Sequence, residues 1–257
     1  MSFLTVQHIH HIYFTKESAT LALENIDLEI KEGEFISFLG PSGCGKTTLL
    51  SIIAGLISPT KGKVLMEGKP VDRFSSSIGY MLQQDYLFPW KTIEENILLG
   101  LKIGGKLTPE ARIRGLSLLA EMGLENVEKS YPRQLSGGMR QRAALVRTLT
   151  TDPKLLMLDE PFSALDYQTK LKLEDLVWST LKDYGKTALL VTHDIGEAIA
   201  MSDRIFLLSS KPGRVAKTFD IPEELKKLEP FQARQHPSFN DLFQHIWKEL
   251  DLLDEKG

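Results

Sequence analysis

The chain has 257 residues, of which 42% are hydrophobic and 25% are charged, and its formal net charge is −3. It is long enough to bury a sizeable core, and its charge balance gives neither the basic footprint of a nucleic-acid-binding protein nor a polybasic attraction to anionic lipid. The single cysteine, Cys44, excludes an internal disulfide and a cysteine-held metal cluster. No apolar run approaches the about 18 residues of a spanning helix, and the start MSFLTVQHIH lacks the shape of a signal peptide. If the protein works at a membrane, we expect it to lie on the surface.

The first third of the chain predicts two kinds of strand. Residues 23–39 alternate apolar and polar side chains, turn at 31–34, and continue as a nearly unbroken apolar strand. The run TTLLSIIAGL at 47–56 predicts a buried helix. The segment GKVLMEGKPV at 62–71 predicts a short strand with a turn at Glu67 and Gly68. Together they indicate an antiparallel patch beside a main sheet.

The second third is predicted to be helical. The pattern is helical from about Thr92 to Lys129, with Pro109 suited to a helix start and Gly123 to a helix end. We therefore place a helical subdomain at about residues 90–150.

The last third predicts a parallel sheet. Three apolar runs recur at intervals, KLLMLD at 154–159, TALLVTHD at 187–194 and RIFLLSS at 204–210, and the first two are separated by a long helical stretch. Pro212 and Gly213 suit the centre of a hairpin turn that closes the core. The expected fold class is α/β, with a mainly parallel sheet, an antiparallel β subdomain and an α-helical subdomain. We expect the main domain to cover residues 1–220 and a helical tail, packed on the core, to cover 221–257.

A glycine-rich loop follows the first buried strand. It reads GPSGCGKTT and has the spacing of a phosphate-binding P-loop. Glycines let the loop wrap closely, successive N–H groups point into its hollow, and the following helix adds its positive end. Lys46 is expected to reach the β- and γ-phosphates, and the Thr47 hydroxyl to bind Mg²⁺. The residues expected to hold the nucleotide are Gly40, Pro41, Ser42, Gly43, Cys44, Gly45, Lys46, Thr47 and Thr48.

Two carboxylates stand where a buried apolar strand stops. Asp159 and Glu160 end the run LLMLDE. An N-cap or an ion pair would satisfy them, and so would a metal-bound site. In a parallel sheet all carboxyl ends share one edge, where ligands bind, which favours the metal site. We assign Asp159 to Mg²⁺, directly or through water, and Glu160 to the water that attacks the γ-phosphate.

A histidine follows the next predicted strand in the same way. His193 by itself is compatible with an ordinary, satisfied histidine. Because the P-loop, Asp159 with Glu160, and His193 each follow a strand at its carboxyl end, we expect them to converge. This placement favours a contact from His193 to the γ-phosphate.

Four motifs together resemble the nucleotide-binding subunits of ATP-binding cassette transporters. GPSGCGKTT, LSGGMRQR, LLMLDEPFSALD and VTHD occur in that family's order, and the resemblance covers about residues 4–216. It implies that the α/β core is a P-loop NTPase core and that residues 1–220 form the ATPase domain. It implies that Tyr13 stacks on adenine, against the alternative of an exposed strand tyrosine. It also implies that Gln83 senses the metal and water, with Gln84 as the neighbouring alternative, and that Asp166 in SALD helps to join two subunits.

The resemblance also explains the second glycine-rich helix start. It implies that Ser136, Gly137 and Gly138 of LSGGMRQR contact the γ-phosphate held by the P-loop of another subunit. Ser136 can cap the helix while the two glycines leave backbone amides open to an anion. The family often has glutamine where this chain has Met139, so the polar contacts of that side chain are absent. Two chains, head to tail, would enclose two ATP molecules with Mg²⁺.

The resemblance is closest to bacterial importers, in which the permease is a separate chain. LFPW at 87–90 and SSKPGRV at 209–215 are similar to the subgroup serving nitrate, alkanesulfonate, taurine and some thiamine-precursor importers. It implies a peripheral subunit at the cytoplasmic face of the membrane. Its partners would be a second copy, integral-membrane permease subunits and, indirectly, a solute-binding protein, with no nucleic acid.

Two rival functions and two local hypotheses remain. A cassette ATPase of DNA repair or translation would bring coiled coils, zinc modules or two cassettes, and a P-loop kinase or GTPase would leave LSGGMRQR unexplained. The tail FNDLFQHIWKELDLL places seven apolar residues on one helical face, which predicts packing on the same domain, with partner or membrane docking as the alternative. The seven are Phe239, Leu242, Phe243, Ile246, Trp247, Leu250 and Leu253. The thiol of Cys44 is expected to be open to an alkylating agent that would block ATPase activity.

Overall fold

A computed structural model describes residues 2–71, 77–163 and 165–254. The strands are β1 (Leu4–Phe14), β2 (Ala19–Ile30), β3 (Phe35–Leu39), β4 (Lys61–Met66), β5 (Lys69–Pro70), β6 (Ile78–Met81), β7 (Leu155–Asp159), β8 (Thr187–Thr192), β9 (Arg204–Leu208) and β10 (Val215–Asp220). The helices are α1 (Lys46–Ile53), α2 (Ile93–Ile97), α3 (Leu99–Ile103), α4 (Pro109–Glu121), α5 (Gly137–Leu149), α6 (Tyr167–Asp183), α7 (Ile195–Met201), α8 (Glu223–Lys226), α9 (Pro230–Ala233) and α10 (Pro237–Asp254).

The chain divides into two compact units. The first unit comprises residues 1–75 and 178–257, and the second comprises residues 76–177.

The first unit contains the predicted antiparallel patch. Its strands lie in the order β2-β1-β4-β5, and β1 pairs antiparallel with both β2 and β4. Strand β2 buries Ile26, Leu28 and Ile30 on alternate positions, because one face of a strand repeats every second residue. The alternation in the sequence therefore corresponds to one buried face.

The same unit contains a parallel sheet around β3. All five residues of β3 are buried, and the strand pairs in parallel with β8 on one side and β9 on the other. Leu39 lies opposite Thr192 of β8, so the carboxyl ends of these two strands are neighbours. Strand β10 adds to β9 antiparallel. This register brings the loop after β3 and the loop after β8 to one edge.

The second unit pairs β6 with β7 in parallel and adds the predicted helices. Thr92 and Glu95 form a reciprocal capping box at the start of α2. As the sequence predicts, α4 begins at Pro109, and Gly123 follows its end with φ 65°. Parallel strands, a separate antiparallel sheet and helices confirm the predicted α/β fold class.

The carboxyl-terminal segment packs within the first unit. Phe239 and Ile246 of α10 are buried in a cluster with α7, β9 and β10, and Leu242, Phe243, Leu250 and Leu253 are packed against that cluster. Trp247, which the helical pattern places on the same face, is 56% exposed. Among the described residues, no helix is both long and apolar enough to cross a membrane.

The connection between β9 and β10 is wider than the predicted tight turn. Ser209 N–H donates to the Arg214 carbonyl over 2.9 Å, so the loop closes two residues earlier than a turn centred on Pro212 and Gly213 would. Gly213 N–H donates to the Ala22 carbonyl at 2.9 Å. A Cβ atom at Gly213 would collide with the carbonyl of Cys44, which explains glycine at this position.

Candidate functional site

The P-loop is held in a conformation that requires glycine. Gly43 and Gly45 have φ of 78° and 94°, in the left-handed region that side chains disfavour. A Cβ at Gly45 would lie 2.7 Å from Leu23 Cδ2 and 3.2 Å from the Ala22 carbonyl oxygen. The loop is therefore pressed against β2, and both its backbone angles and its close contact exclude larger residues.

The lysine of the P-loop is buried within the loop. Lys46 Nζ donates to the carbonyls of Gly40 at 2.7 Å and Pro41 at 2.9 Å, and the side chain is only 6% exposed. These carbonyl dipoles orient the ammonium group. A buried cation held by neutral carbonyls suits an anionic ligand such as a phosphate.

The structure overturns the expectation that Cys44 is open to alkylation. The side chain of Cys44 is fully buried. Burial raises the pKa of its thiol, and the nearby Lys46 opposes that shift. Because the thiolate is the nucleophile and must also be reached, this cysteine is protected by its position.

Helix α1 begins directly from the loop. Its N-cap, Gly45, makes no side-chain hydrogen bond to the first turn. The first amides of a helix have no partner within the helix, and they favour an anion at that end. Thr47 in this turn is exposed, so its hydroxyl lies at the surface of the cradle.

Tyr13 is joined to the same helix. Its hydroxyl lies 3.2 Å from Thr48 Oγ1, and the side chain is 42% exposed. The ring of His11 meets the Tyr13 ring edge-to-face at 4.6 Å between centroids. His11 is buried, and its two ring nitrogens have no hydrogen-bond partner within the described ranges. The ring of Tyr13 is thus packed against His11, a residue that the sequence patterns did not indicate.

His193 and the start of the P-loop border the same cavity. The cavity has a volume of about 420 Å³, and Gly40, Pro41 and His193 form part of its wall. His193 is exposed at the end of β8, and Asp194 caps α7 by accepting a hydrogen bond from Glu197 N–H at 3.1 Å. The predicted meeting of the P-loop with His193 is therefore found within the first unit.

In the second unit, Asp159 and Glu160 lie at the carboxyl end of β7. Asp159 is buried and accepts a hydrogen bond from the Tyr80 hydroxyl at 3.3 Å. Glu160 has φ of 47°, a left-handed conformation that is uncommon for a non-glycine residue. Gln83 Nε2 donates to Glu160 Oε2 at 3.1 Å, which supports Gln83 over its neighbour Gln84. Tyr80 is a site residue that the sequence reasoning missed.

Helix α5 carries the second glycine-rich start. Ser136 Oγ accepts a hydrogen bond from Met139 N–H at 3.3 Å, and Ser136 and Gly137 are exposed. Gln141 is buried, and its amide donates to the carbonyls of Pro161 at 2.7 Å and Gln83 at 3.3 Å. The helix is thereby tied to the loops that carry Gln83 and Glu160. Gln141 lies three and four residues before the buried Ala144 and Leu145, so helical spacing was the sequence signal that could have placed it on the buried face of α5.

The first two of the three arginines of α5, Arg140 and Arg142, have hydrogen-bond partners within the same unit. Arg140 Nε pairs with Asp85 at 3.0 Å, and Arg142 Nη1 donates to the Met122 carbonyl at 2.7 Å, where α4 ends. Desolvation lowers the pKa of Arg142. The acidic partner of Arg140 is therefore the carboxylate of Asp85, a residue of the same unit.

Asp166 caps α6. Its carboxylate accepts a hydrogen bond from Thr169 N–H at 3.1 Å, and hydrogen bonds from Thr169 lower the pKa of Asp166. Of the predicted loop SALD, Ala164 lies outside the described residues. The capping bond gives Asp166 a structural role, and its predicted part in joining two chains stays a prediction.

Each unit therefore carries one group of candidate site residues. The first unit holds the P-loop, Tyr13 and His193, and the second holds Asp159, Glu160, Gln83 and the start of α5. Within the described ranges, no cluster of three histidine, cysteine, aspartate or glutamate residues could bind a metal by itself. A metal ion bound by one carboxylate would need hydroxyl, phosphate or water oxygens as its other ligands. Mg²⁺ accepts such a set of oxygen ligands.

Comparison with known proteins identifies the family of this chain. A protein-family model described as ABC transporter matches residues 23–163. YtlC of Bacillus subtilis (strain 168), an ABC transporter ATP-binding protein, is 64% identical over 256 residues, which are 100% of this chain and 98% of the relative.

Two similar relatives are named for import. The aliphatic sulfonates import ATP-binding protein SsuB of a Bacillus cereus strain is 38% identical over 240 residues, covering 93% of this chain and 92% of the relative. The nitrate import ATP-binding protein NrtD of a Synechocystis strain is 37% identical over 240 residues, covering 92% of this chain and 90% of the relative.

A solved structure shows the same fold. A dimeric ATP-binding cassette in a post-hydrolysis state, bound to ADP and phosphate, superposes with a TM-score of 0.76 at 34% sequence identity. The match covers 85% of this chain and 99% of that one.

Proposed function

The chain belongs to the ABC transporter family and is an ATPase, and on that premise we propose that it is the ATP-hydrolysing subunit of an importer. The observation that carries this proposal is the P-loop: a buried Lys46 held by the carbonyls of Gly40 and Pro41, at the uncapped start of α1. A site of that construction binds the phosphates of a nucleotide.

We assign ATP to the first unit. The loop amides and Lys46 neutralise the phosphate charge, and the exposed ring of Tyr13 offers a face on which adenine stacks. The bond between the Tyr13 hydroxyl and Thr48 holds that ring beside the phosphate cradle. His193 contributes a polar contact to the γ-phosphate from the neighbouring strand end.

The donor set fits Mg²⁺. Thr47 provides an exposed hydroxyl beside the loop that would hold the phosphates, and phosphate and water oxygens are further ligands that Mg²⁺ accepts. Asp159, a carboxylate at a strand end of the second unit, stays the metal ligand that the sequence predicts. When bound, the ion neutralises charge on the transferred phosphoryl group. Tyr80 and Gln83 restrain the carboxylates of Asp159 and Glu160 on the protein side.

Glu160 is the proposed base. Its left-handed backbone and its bond to Gln83 give its carboxylate a defined orientation. It orients the attacking water and accepts its proton, a role worth about 10² to 10⁴ in rate for a well-placed base.

The start of α5 is the proposed contact to ATP held by a second copy. Ser136 and Gly137 are exposed, and Gly137 and Gly138 add no side chain over the first amides of the helix. The dimeric state of a similar cassette bound to ADP and phosphate supports this arrangement. Two chains in head-to-tail orientation would complete two ATP sites.

Import is proposed from the named relatives. SsuB and NrtD are named for aliphatic sulfonates and nitrate, and a small anion of this kind is the proposed solute. The substrate would pass through separate permease subunits, supplied by a solute-binding protein, with this chain at the cytoplasmic face. The exposed Tyr86, Phe88 and Trp90, close in sequence to Gln83, are candidates for the permease contact.

Replacing Glu160 tests the hydrolytic role. We expect Glu160→Gln to bind ATP with unchanged affinity and to hydrolyse it at least about 100-fold more slowly, because the amide cannot accept the proton. Glu125→Gln, at an exposed position of the same unit, is the matched control. Wild-type turnover in Glu160→Gln would remove Glu160 from the mechanism.

Sedimentation tests the dimer. ATP should convert Glu160→Gln from monomer to dimer, and adding Ser136→Arg should abolish that conversion by covering the first amides of α5. Ser117→Arg, on the exposed surface of α4, should leave it intact. A monomer of Glu160→Gln at saturating ATP would contradict the proposed arrangement.

A further inference from the structure

The loop between β9 and β10 meets both β2 and the P-loop within the first unit. Gly213 of this loop donates its N–H to the Ala22 carbonyl at 2.9 Å, and its own carbonyl accepts from Glu24 N–H at 2.9 Å. These two bonds hold Gly213 beside Leu23, with which it forms an isolated parallel bridge. A Cβ at Gly45 would lie 2.7 Å from Leu23 Cδ2, and a Cβ at Gly213 would lie 3.0 Å from the same atom. The three segments therefore pack around one leucine side chain.

A side-chain pair also holds the β9–β10 loop on β2. Arg214 donates to Glu24 Oε2 from Nε at 2.8 Å and from Nη2. The two side chains are 58% and 31% exposed. Since Glu24 N–H also bonds to Gly213, one residue of β2 holds this loop through both its backbone and its side chain.

The loop contacts the P-loop through one carbonyl group. A Cβ atom at Gly213 would collide with the Cys44 carbonyl oxygen, so this oxygen faces the α-carbon of Gly213 directly. Gly213 does not have a positive φ. The space taken by the carbonyl, and not the backbone conformation, therefore requires glycine at this position.

The direction of this carbonyl determines the direction of the next amide. A peptide unit is planar and trans, so its C=O and its N–H point in opposite directions. With the Cys44 oxygen held at Gly213, the N–H of Gly45 points away from Gly213. Within the described residues this N–H makes no hydrogen bond. It is therefore one of the P-loop amides that are available to an anion.

We propose that Gly213 is a positioning residue for phosphate binding, because its bare α-carbon lets the Cys44 carbonyl pack behind the P-loop and so turns the Gly45 N–H towards the phosphates. A side chain at residue 213 would displace that carbonyl, tilt the peptide unit between Cys44 and Gly45, and turn the N–H out of the site. Gly213 itself contacts no phosphate. This inference rests on the proposed function, since it takes the P-loop as the phosphate site.

Calorimetric titration of Gly213→Ala with tripolyphosphate and with ATP tests the proposal. Both affinities should fall at least about tenfold and by the same factor, because a hydrogen bond to a charged phosphate is lost and the base is not involved. Gly104→Ala is the matched control. Gly104 is exposed with φ of −76°, and an added Cβ would come no closer than 3.3 Å to any atom outside its neighbours, so both affinities should stay unchanged.

The Gly45 amide itself distinguishes positioning from a loss of stability. In the proton–nitrogen NMR spectrum of ligand-free Gly213→Ala, the Gly45 signal should move, and tripolyphosphate should shift it less than in the wild type. A merely structural role would lower the unfolding temperature but leave the affinity of the folded protein unchanged. A folded Gly213→Ala protein that binds tripolyphosphate as the wild type does would overturn the proposal.

Arg214→Ala is a second variant, which adds no atom between the loop and the P-loop. Loosening the loop should weaken tripolyphosphate binding about two- to fivefold, the effect expected of an exposed ion pair. Lys211→Ala removes the same charge from an exposed position of the same loop and should leave the affinity unchanged. If Gly213→Ala does not fold, equal affinities of Arg214→Ala and Lys211→Ala would overturn the proposal. A wild-type protein that binds neither ATP nor tripolyphosphate would instead contradict the proposed function.

Discussion

The two glycine-rich helix starts of this chain use glycine for different physical reasons. Before α1, Gly43 and Gly45 adopt left-handed backbone angles, and a Cβ at Gly45 would press into Leu23. At the start of α5, Gly137 does not have a positive φ, and a Cβ there would meet only the tip of Arg140 at 3.9 Å. The loop before α1 needs glycine in order to adopt its backbone conformation. The start of α5 needs glycine only to keep its first amides uncovered by a side chain.

The caps of the two helices differ in the same sense. Gly45 gives α1 no side-chain cap, so the first amides of α1 are open to a ligand that binds in the P-loop of the same chain. Ser136 caps α5 by accepting a hydrogen bond from Met139 N–H, which satisfies one of the first amides of that helix within the chain. This contrast fits the proposed roles: the start of α1 binds a nucleotide, and the start of α5 contacts a nucleotide held by a second copy.

The largest effect is expected from Gly45→Ala. Left-handed backbone costs a non-glycine residue about 1 to 2 kcal/mol, and the contact with Leu23 adds to it, so unfolding free energy should fall by at least about 2 kcal/mol and ATP binding should be lost. Urea unfolding and nucleotide titration measure both. Gly33→Ala is the control, because Gly33 has φ of 76° but nothing within 4 Å of the added Cβ, so it isolates the backbone cost. Equal losses in the two variants would show that the contact with Leu23 contributes nothing.

A smaller and opposite effect on folding is expected from Gly137→Ala. The added methyl group meets only a flexible side-chain tip, so the free energy of unfolding should stay the same or rise by up to about 1 kcal/mol. ATP affinity of the monomer should not change, but ATP-driven dimerisation of the Glu160→Gln form should weaken. If Gly137→Ala unfolds the protein as Gly45→Ala does, the distinction between the two glycine-rich starts is wrong.

The smallest effect concerns Cys44 in the native protein. Because burial raises the pKa of this thiol, its thiolate fraction at pH 8 lies below that of an ordinary cysteine and grows only as the pH rises towards the raised pKa. Iodoacetamide should therefore leave the native protein nearly unlabelled and its ATPase activity unchanged, while the urea-unfolded chain reacts fully. A cysteine introduced at the exposed Ser18 should react in the folded state. Rapid labelling of native Cys44 would show that the loop opens.

The sequence predicted the fold class, the P-loop and the candidate residues because each depends on local chemistry. Strand β3 is an apolar run interrupted only by Ser37, α4 starts at its proline, and the spacing of GPSGCGKTT permits few alternatives. The domain bounds and the roles of the site residues stay predictions. Motif spacing assigns residue types and leaves the three-dimensional contacts open.

Contacts between residues far apart in the chain had to come from the structure. Tyr80 bonds to Asp159, and Gln141 joins α5 to the loops of Gln83 and Pro161. Although Gln141 itself lies in LSGGMRQR, its partners do not, and each contact depends on how the folded elements are brought together.

By itself, then, the sequence determined the periodicities, the glycine-rich loop and the order of motifs, since these are set by neighbours along the chain. Tertiary structure alone decided that Cys44 is shielded, that Arg140 is paired with Asp85, and that Trp247 remains exposed although its helical position predicted burial. Burial and pairing depend on which surfaces meet in the folded protein. The helical pattern predicts which face of α10 is apolar, but it does not predict how much of that face the rest of the protein covers.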